Sequence, residues 1–234
     1  MREKLIKKAS SSLVAVVAML LLPIFIVAMK HPQQKKAYSY LALGDSYTIG
    51  EKVTQEENFP NQAVGLLREN GLDFAAPKIV AKTGWTTDEL QAGIKKGKLE
   101  SHYDFVSLLI GVNNQYRQRT VADYIPQFES LLDQALKYAR NKNNRVIVIS
   151  IPDWGVTPFA SDRDREKIAL EIDEYNRANK EIADKYRVHY INITLGNRKA
   201  TGDKEMVTGD GLHPSGKEYK KWAAELAAVI KSEL

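Results

Sequence analysis

Five short apolar runs, each followed by a stretch with helical spacing, constrain this 234-residue chain more than any other feature. The runs are Tyr40-Leu41-Ala42-Leu43, then residues 77–82, 103–110, 145–151 and 188–193. Runs this short and this apolar suit strands buried on both faces, as in a covered parallel sheet. Between them the apolar positions recur at helical spacing. One helix is predicted over 59–69, with Asn70-Gly71 as its stop, and another runs from Thr86 or Thr87 to about Lys96. Thr120 and Asp123 form a capping-box pattern ahead of Val121, Tyr124, Ile125, Phe128, Leu131, Leu132, Ala135 and Leu136. A long helix carrying Ile168, Ile172, Tyr175, Asn179 and Ile182 on one stripe ends near Lys185, and a polar loop is expected over 194–209. Ser215 and Glu218 then open the last helix, which buries Tyr219, Trp222, Leu226, Val229 and Ile230. Strict alternation of this kind predicts a three-layer α/β/α domain over 38–234, with one parallel sheet and no internal repeat.

The first thirty residues read differently. Arg2, Lys4, Lys7 and Lys8 stand against the single Glu3, and residues 13–29 then run 17 positions without a charge. A basic start before an apolar run is the pattern of a signal peptide or a membrane anchor, with residues 31–37 as a polar linker. The expected location is therefore outside the cytoplasm, either secreted or anchored through residues 13–29. Cleavage after Ala28 is disfavoured by the bulk of Ile26, and the absence of cysteine excludes a thioether lipid anchor. Residues 1–30 also hold five of the 34 basic residues and one of the 29 acidic ones, so the rest of the chain is nearly balanced at 29 to 28. No basic face for nucleic acid follows from such a balance.

The first strand ends in Gly44-Asp45-Ser46, a sharp turn that leaves Ser46 at the strand's C-terminal end. Ligands of open α/β sheets bind along that rim, which makes Ser46 a candidate nucleophile; its other reading is a cap for the next helix. A nucleophilic serine needs a base, and only four histidines are available. His31 lies in the linker, His189 inside the fifth strand and His102 before the third strand, at the opposite edge. His213 alone follows a strand on the active rim. Asp210, three residues earlier, is close enough to accept the imidazole Nδ1 proton, although a turn-forming aspartate would occupy the same place. Gly84 and Asn113 end the second and third strands. A bare backbone N–H and a side-chain amide at those points are candidate oxyanion donors, together with the Ser46 N–H, and each residue taken alone is also an ordinary turn former. Trp85, Tyr116, Trp154 and Phe159 fall in rim loops and are candidate walls for a substrate, with plain packing as the alternative.

Ser46 in GDS, Gly84 in KTGW, Asn113 in GVNN and His213 in DGLHP together resemble the four marker residues of the SGNH, or GDSL-type, hydrolase family, over the chain from about Tyr38 to Leu234. The resemblance implies a flavodoxin-like sheet of order 2-1-3-4-5 and esterase, lipase or thioesterase chemistry. It makes Ser46, His213 and Asp210 a catalytic triad that requires no metal and no organic cofactor. Expected substrates are small acyl esters or lysophospholipid-like lipids, with polysaccharide O-acetyl groups as an alternative. A non-catalytic binder on the same fold is the reading from another class. The chain departs from the family pattern at Tyr47, where leucine is usual, and at Asn114, where aspartate is common; both bear on the walls of the site rather than on its chemistry.

Overall fold

The structure, a computed structural model, describes residues 37–234. The basic and apolar N-terminal segment, and all but the last residue of the linker, lie outside the described residues. Among the described residues no helix is long and apolar enough to cross a membrane.

The sheet is built from β1 (Tyr40–Asp45), β2 (Lys78–Lys82), β3 (Phe105–Leu109), β4 (Val146–Ile149) and β5 (His189–Ile191). All pairs are parallel and the order is β2-β1-β3-β4-β5, as expected. Every residue of β1, β3 and β4 is buried, whereas edge strand β2 exposes Lys78 and Lys82. The long helices are α2 (Phe59–Glu69), α3 (Thr87–Lys96), α5 (Val121–Tyr138), α6 (Arg165–Tyr186) and α8 (Gly216–Ser232). Helices α2 and α8 pack on each other through Phe59, Tyr219 and Trp222, while α3, α5 and α6 pack in series.

Three short helices occupy strand ends. They are α1 (Ser46–Ile49) after β1, α4 (Val112–Tyr116) after β3, and α7 (Ile193–Lys199) after β5. The last corrects the expected polar loop over 194–209. Asn192 accepts a hydrogen bond from Leu195 N, ending the strand at Ile191, and burial of Ile193 and Thr194 anchors a helix whose remaining residues, Leu195 among them, are not buried. Two smaller expectations also shift. Ile125 is 38% exposed, because α5 turns that position away from its neighbours. Ser215 caps α8 by accepting from Glu218 N, but the Glu218 carboxylate turns inward to Trp222 Nε1 and Lys221 instead of completing the box.

Gly44 is required for a reason other than the turn itself, since its φ is not positive. A Cβ there would lie 2.5 Å from the Leu109 carbonyl oxygen and would overlap Thr48 Oγ1. Only a residue without a side chain lets α1 fold back against β1 and β3 at this point.

Candidate active site

The parallel register aligns the strand ends that carry the candidate residues. Gly44 pairs with Ala81 and with Leu109, so the segments that follow, bearing Ser46, Gly84 and Asn113, emerge side by side. The loop before α8 completes the group. Ser46, Gly84, Asn113 and His213 all line one cavity of about 210 Å³.

Ser46 is the first residue of α1 and is 4% exposed. Asp45, not Ser46, caps this helix by accepting from Tyr47 N at 3.0 Å, which leaves the serine side chain without a capping task. His213 Nδ1 lies 2.7 Å from Asp210 Oδ2. The other Asp210 oxygen accepts from Leu212 N, His213 N and Thr208 Oγ1 at 2.9, 3.0 and 2.8 Å. Burial pushes the Asp210 carboxyl upward, but the bonds from His213, the two backbone N–H groups and Thr208 outweigh it and hold the group down at about 2. The imidazole rests on the Tyr47 ring at 5.3 Å. With Nδ1 on a fixed carboxylate, the other ring nitrogen is the one left for proton transfer.

Gly84 takes φ +81°, and Arg117 Nη2 donates to its carbonyl at 2.7 Å. Asn113 Nδ2 donates to the Trp85 carbonyl at 3.1 Å and, over a longer 3.4 Å, to Asp45 Oδ2. Gly111 makes α4 possible just before it: at φ +133° any Cβ would press on the Tyr124 ring and hydroxyl. Tyr116, Trp154 and Phe159 meet at centroid distances of 5.3, 6.5 and 6.0 Å and form one wall. Trp85 does not line the cavity; its ring fills the space beside Gly93 of α3. Asn114 points away as well, bonding Thr87 N and Thr87 Oγ1 and so tying α4 to the start of α3.

Sequence reasoning missed two members of this arrangement. Arg117, also paired with Glu89 at 3.3 Å, has no motif that would mark it. Asp45 was visible within GDS, yet nothing local reveals its bond to an asparagine 68 positions away. Fully buried, Asp45 has its carboxyl pushed up to about 7 by desolvation, against the opposing bonds from Tyr47 N and Asn113. The folded state therefore holds this proton where the unfolded chain, near ~3.9, has lost it, so the linkage lowers stability as pH rises from ~4 to 7. Above that window the buried carboxylate costs about 4 kcal/mol. Asp210 contributes in the opposite sense, but its part is complete above ~pH 4 and is flat across the same window. Asp45→Asn, neutral and of the same shape, is expected to flatten the dependence of unfolding free energy on pH between 4 and 7. Urea denaturation at pH 5 and pH 8 checks this; an undiminished slope in the variant would contradict it.

A family model described as the GDSL-like Lipase/Acylhydrolase family matches residues 42–221. Solved structures share the fold. A lipase/acylhydrolase from Enterococcus faecalis is 22% identical with a TM-score of 0.68, over 84% of this chain and 97% of that one. TesA is 16% identical, TM-score 0.66, over 84% and 99%. An acetylxylan esterase from Geobacillus stearothermophilus is 19% identical, TM-score 0.62, over 84% and 93%. No curated protein matches the sequence.

Proposed function

We propose, given that this chain belongs to the GDSL-like lipase/acylhydrolase family, whose members are carboxylic ester hydrolases, that it hydrolyses small acyl esters through a Ser46–His213–Asp210 triad. The observation that carries this reading is the 2.7 Å His213–Asp210 contact beside a cavity that also contains Ser46, Gly84 and Asn113. Ser46 Oγ attacks the ester carbonyl as His213 takes its proton, and His213 then delivers that proton to the leaving alcohol oxygen. Asp210 fixes the imidazole tautomer and stays ionised throughout. The developing oxyanion is met by the N–H groups of Gly84 and Ser46 and by the Asn113 amide. One Asn113 N–H is committed to Trp85; the other, on the long bond to Asp45, is the one available to an oxyanion. Water then cleaves the acyl-enzyme by the same route in reverse.

The aromatic wall of Tyr116, Trp154 and Phe159 supports the simple-ester reading by offering apolar surface to an acyl group. Hydrolysis of acetylated sugar is the second reading, motivated by the shared fold of the acetylxylan esterase. A panel comparing p-nitrophenyl acetate and butyrate with acetylated xylo-oligosaccharides separates the two. Faster turnover of the simple esters is expected; acetate release from the sugars alone would favour the second reading.

A further inference from the structure

A second cavity, of about 130 Å³, lies back to back with the first. Tyr47, Trp154 and Leu212 line both, so these three side chains form the partition. Two of them belong to the site by sequence: Tyr47 follows Ser46, and Leu212 precedes His213. The second cavity sits beneath the loop that carries Asp210 and His213. That loop is pinned over it by Phe159 N donating to the Gly211 carbonyl at 2.9 Å and by a bridge between Val207 and Pro214.

The lining of this space decides what it can hold. Val156, Pro158, Ala200, Met206, Val207 and Pro214 supply apolar surface. Its inner polar groups are already engaged with the protein. Asp153 accepts from Gly155 N at 2.8 Å and from Arg198 Nε at 2.7 Å, Thr157 Oγ1 donates to the Trp154 carbonyl at 2.6 Å, and Asn197 Oδ1 accepts from Asp153 N at 3.0 Å. At the inner end a sugar hydroxyl would meet Asp153 and Thr157 already bonded to the protein and would lose hydrogen bonds to water, whereas the other charged and hydroxyl groups of the lining, Thr201, Asp203 and Lys204, lie on its exposed rim. A hydrocarbon chain loses nothing of the kind.

On the esterase reading above, we infer that the second cavity receives the distal part of an aliphatic chain of the ester substrate, entering past the partition. An ester whose carbonyl oxygen points to Gly84 and Asn113 sends its two other substituents along diverging directions away from them, and on this inference one of the two runs to the wall of Tyr47, Trp154 and Leu212. Leu212 is the one member of the partition that is not buried, which makes its side chain the movable one. The chain belongs either to the acyl group or to the alcohol, and its chemistry is the same in both cases.

Two ester series test this on the full chain: p-nitrophenyl esters from acetate to decanoate, and alkyl acetates from ethyl to decyl. Wild-type kcat/KM should climb about fourfold for each methylene that enters apolar surroundings, in whichever series reaches the second cavity. Val156→Phe and Ala200→Phe fill that cavity from two different elements and line no part of the first. Each should cut kcat/KM for an eight-carbon chain in the responding series by roughly tenfold or more. Acetate turnover, which ends in the first cavity, should stay within about twofold and reports that the variants are folded. A climb in the acyl series assigns the cavity to the acyl chain, and one in the alkyl series assigns it to the alcohol. Chain-length profiles that stop rising at butyl in both series, or that neither substitution alters, would overturn the inference. Absence of Ser46-dependent hydrolysis at every length, acetate included, would instead overturn the esterase reading beneath it.

Discussion

Ser46→Ala and His213→Ala are each expected to lower kcat by roughly 10⁴- to 10⁶-fold on any ester the protein cleaves, with the fold intact. The loss is large because the two side chains perform one act: without the imidazole the serine keeps its proton, and without the serine the imidazole has no nucleophile to serve. The double variant should therefore be hardly worse than either single one. The fold should survive, since no structural hydrogen bond depends on the serine hydroxyl in its role as helix start; Asp45 performs the capping. Asp210→Ala should be milder, because this residue orients and stabilises the imidazole rather than moving a proton itself. Steady-state kinetics with circular dichroism on the same preparations checks all four proteins. Retention of more than about a tenth of wild-type kcat in either Ser46→Ala or His213→Ala would remove that residue from the mechanism.

Asn113→Ala is expected to lower kcat by about 10²- to 10³-fold while KM changes little. An amide aimed at the oxyanion strengthens its bond only as charge develops, so its removal affects the transition state more than the bound ester. The same substitution frees Asp45 and the Trp85 carbonyl, each of which holds the amide in place. Those contacts belong to the resting state, and their loss is read as a stability change rather than a rate change. A fall confined to KM would mean that Asn113 positions substrate without stabilising the oxyanion.

The fold was legible because its determinants are local. Five apolar runs and the helical spacing between them fixed the element order, and burial on both faces made a parallel sheet the consistent arrangement. The candidate site was legible for a related reason: Ser46, Gly84, Asn113 and His213 each sit at a strand end or just before a helix, where the sequence marks its own turns. What could not be read there is long-range. The bond between Asp45 and Asn113 joins residues 68 apart, and Arg117 reaches Gly84 across 33 positions. Trp85 illustrates the same limit from the other side, for its place in a rim loop gave no sign that Gly93 would offer its ring a bed on α3. Helix α7 was hidden by its shortness, because a single Asn192 cap and two buried residues carry seven positions that show no helical apolar spacing. The sequence places Gly44 in a sharp turn, whereas the constraint on it is the crowding of Thr48 and the Leu109 carbonyl.

Ester cleavage by the proposed route requires Ser46 to be a nucleophile activated by its surroundings. A fluorophosphonate ester phosphonylates such a serine, with loss of fluoride, and leaves ordinary serines untouched, since only an activated oxygen displaces the fluoride. Intact-mass measurement followed by peptide mapping of the treated protein should find one adduct, on the peptide containing Gly44-Asp45-Ser46, formed in the wild type and absent from Ser46→Ala. No adduct on the folded wild-type protein, or an adduct that persists in Ser46→Ala, would contradict the account.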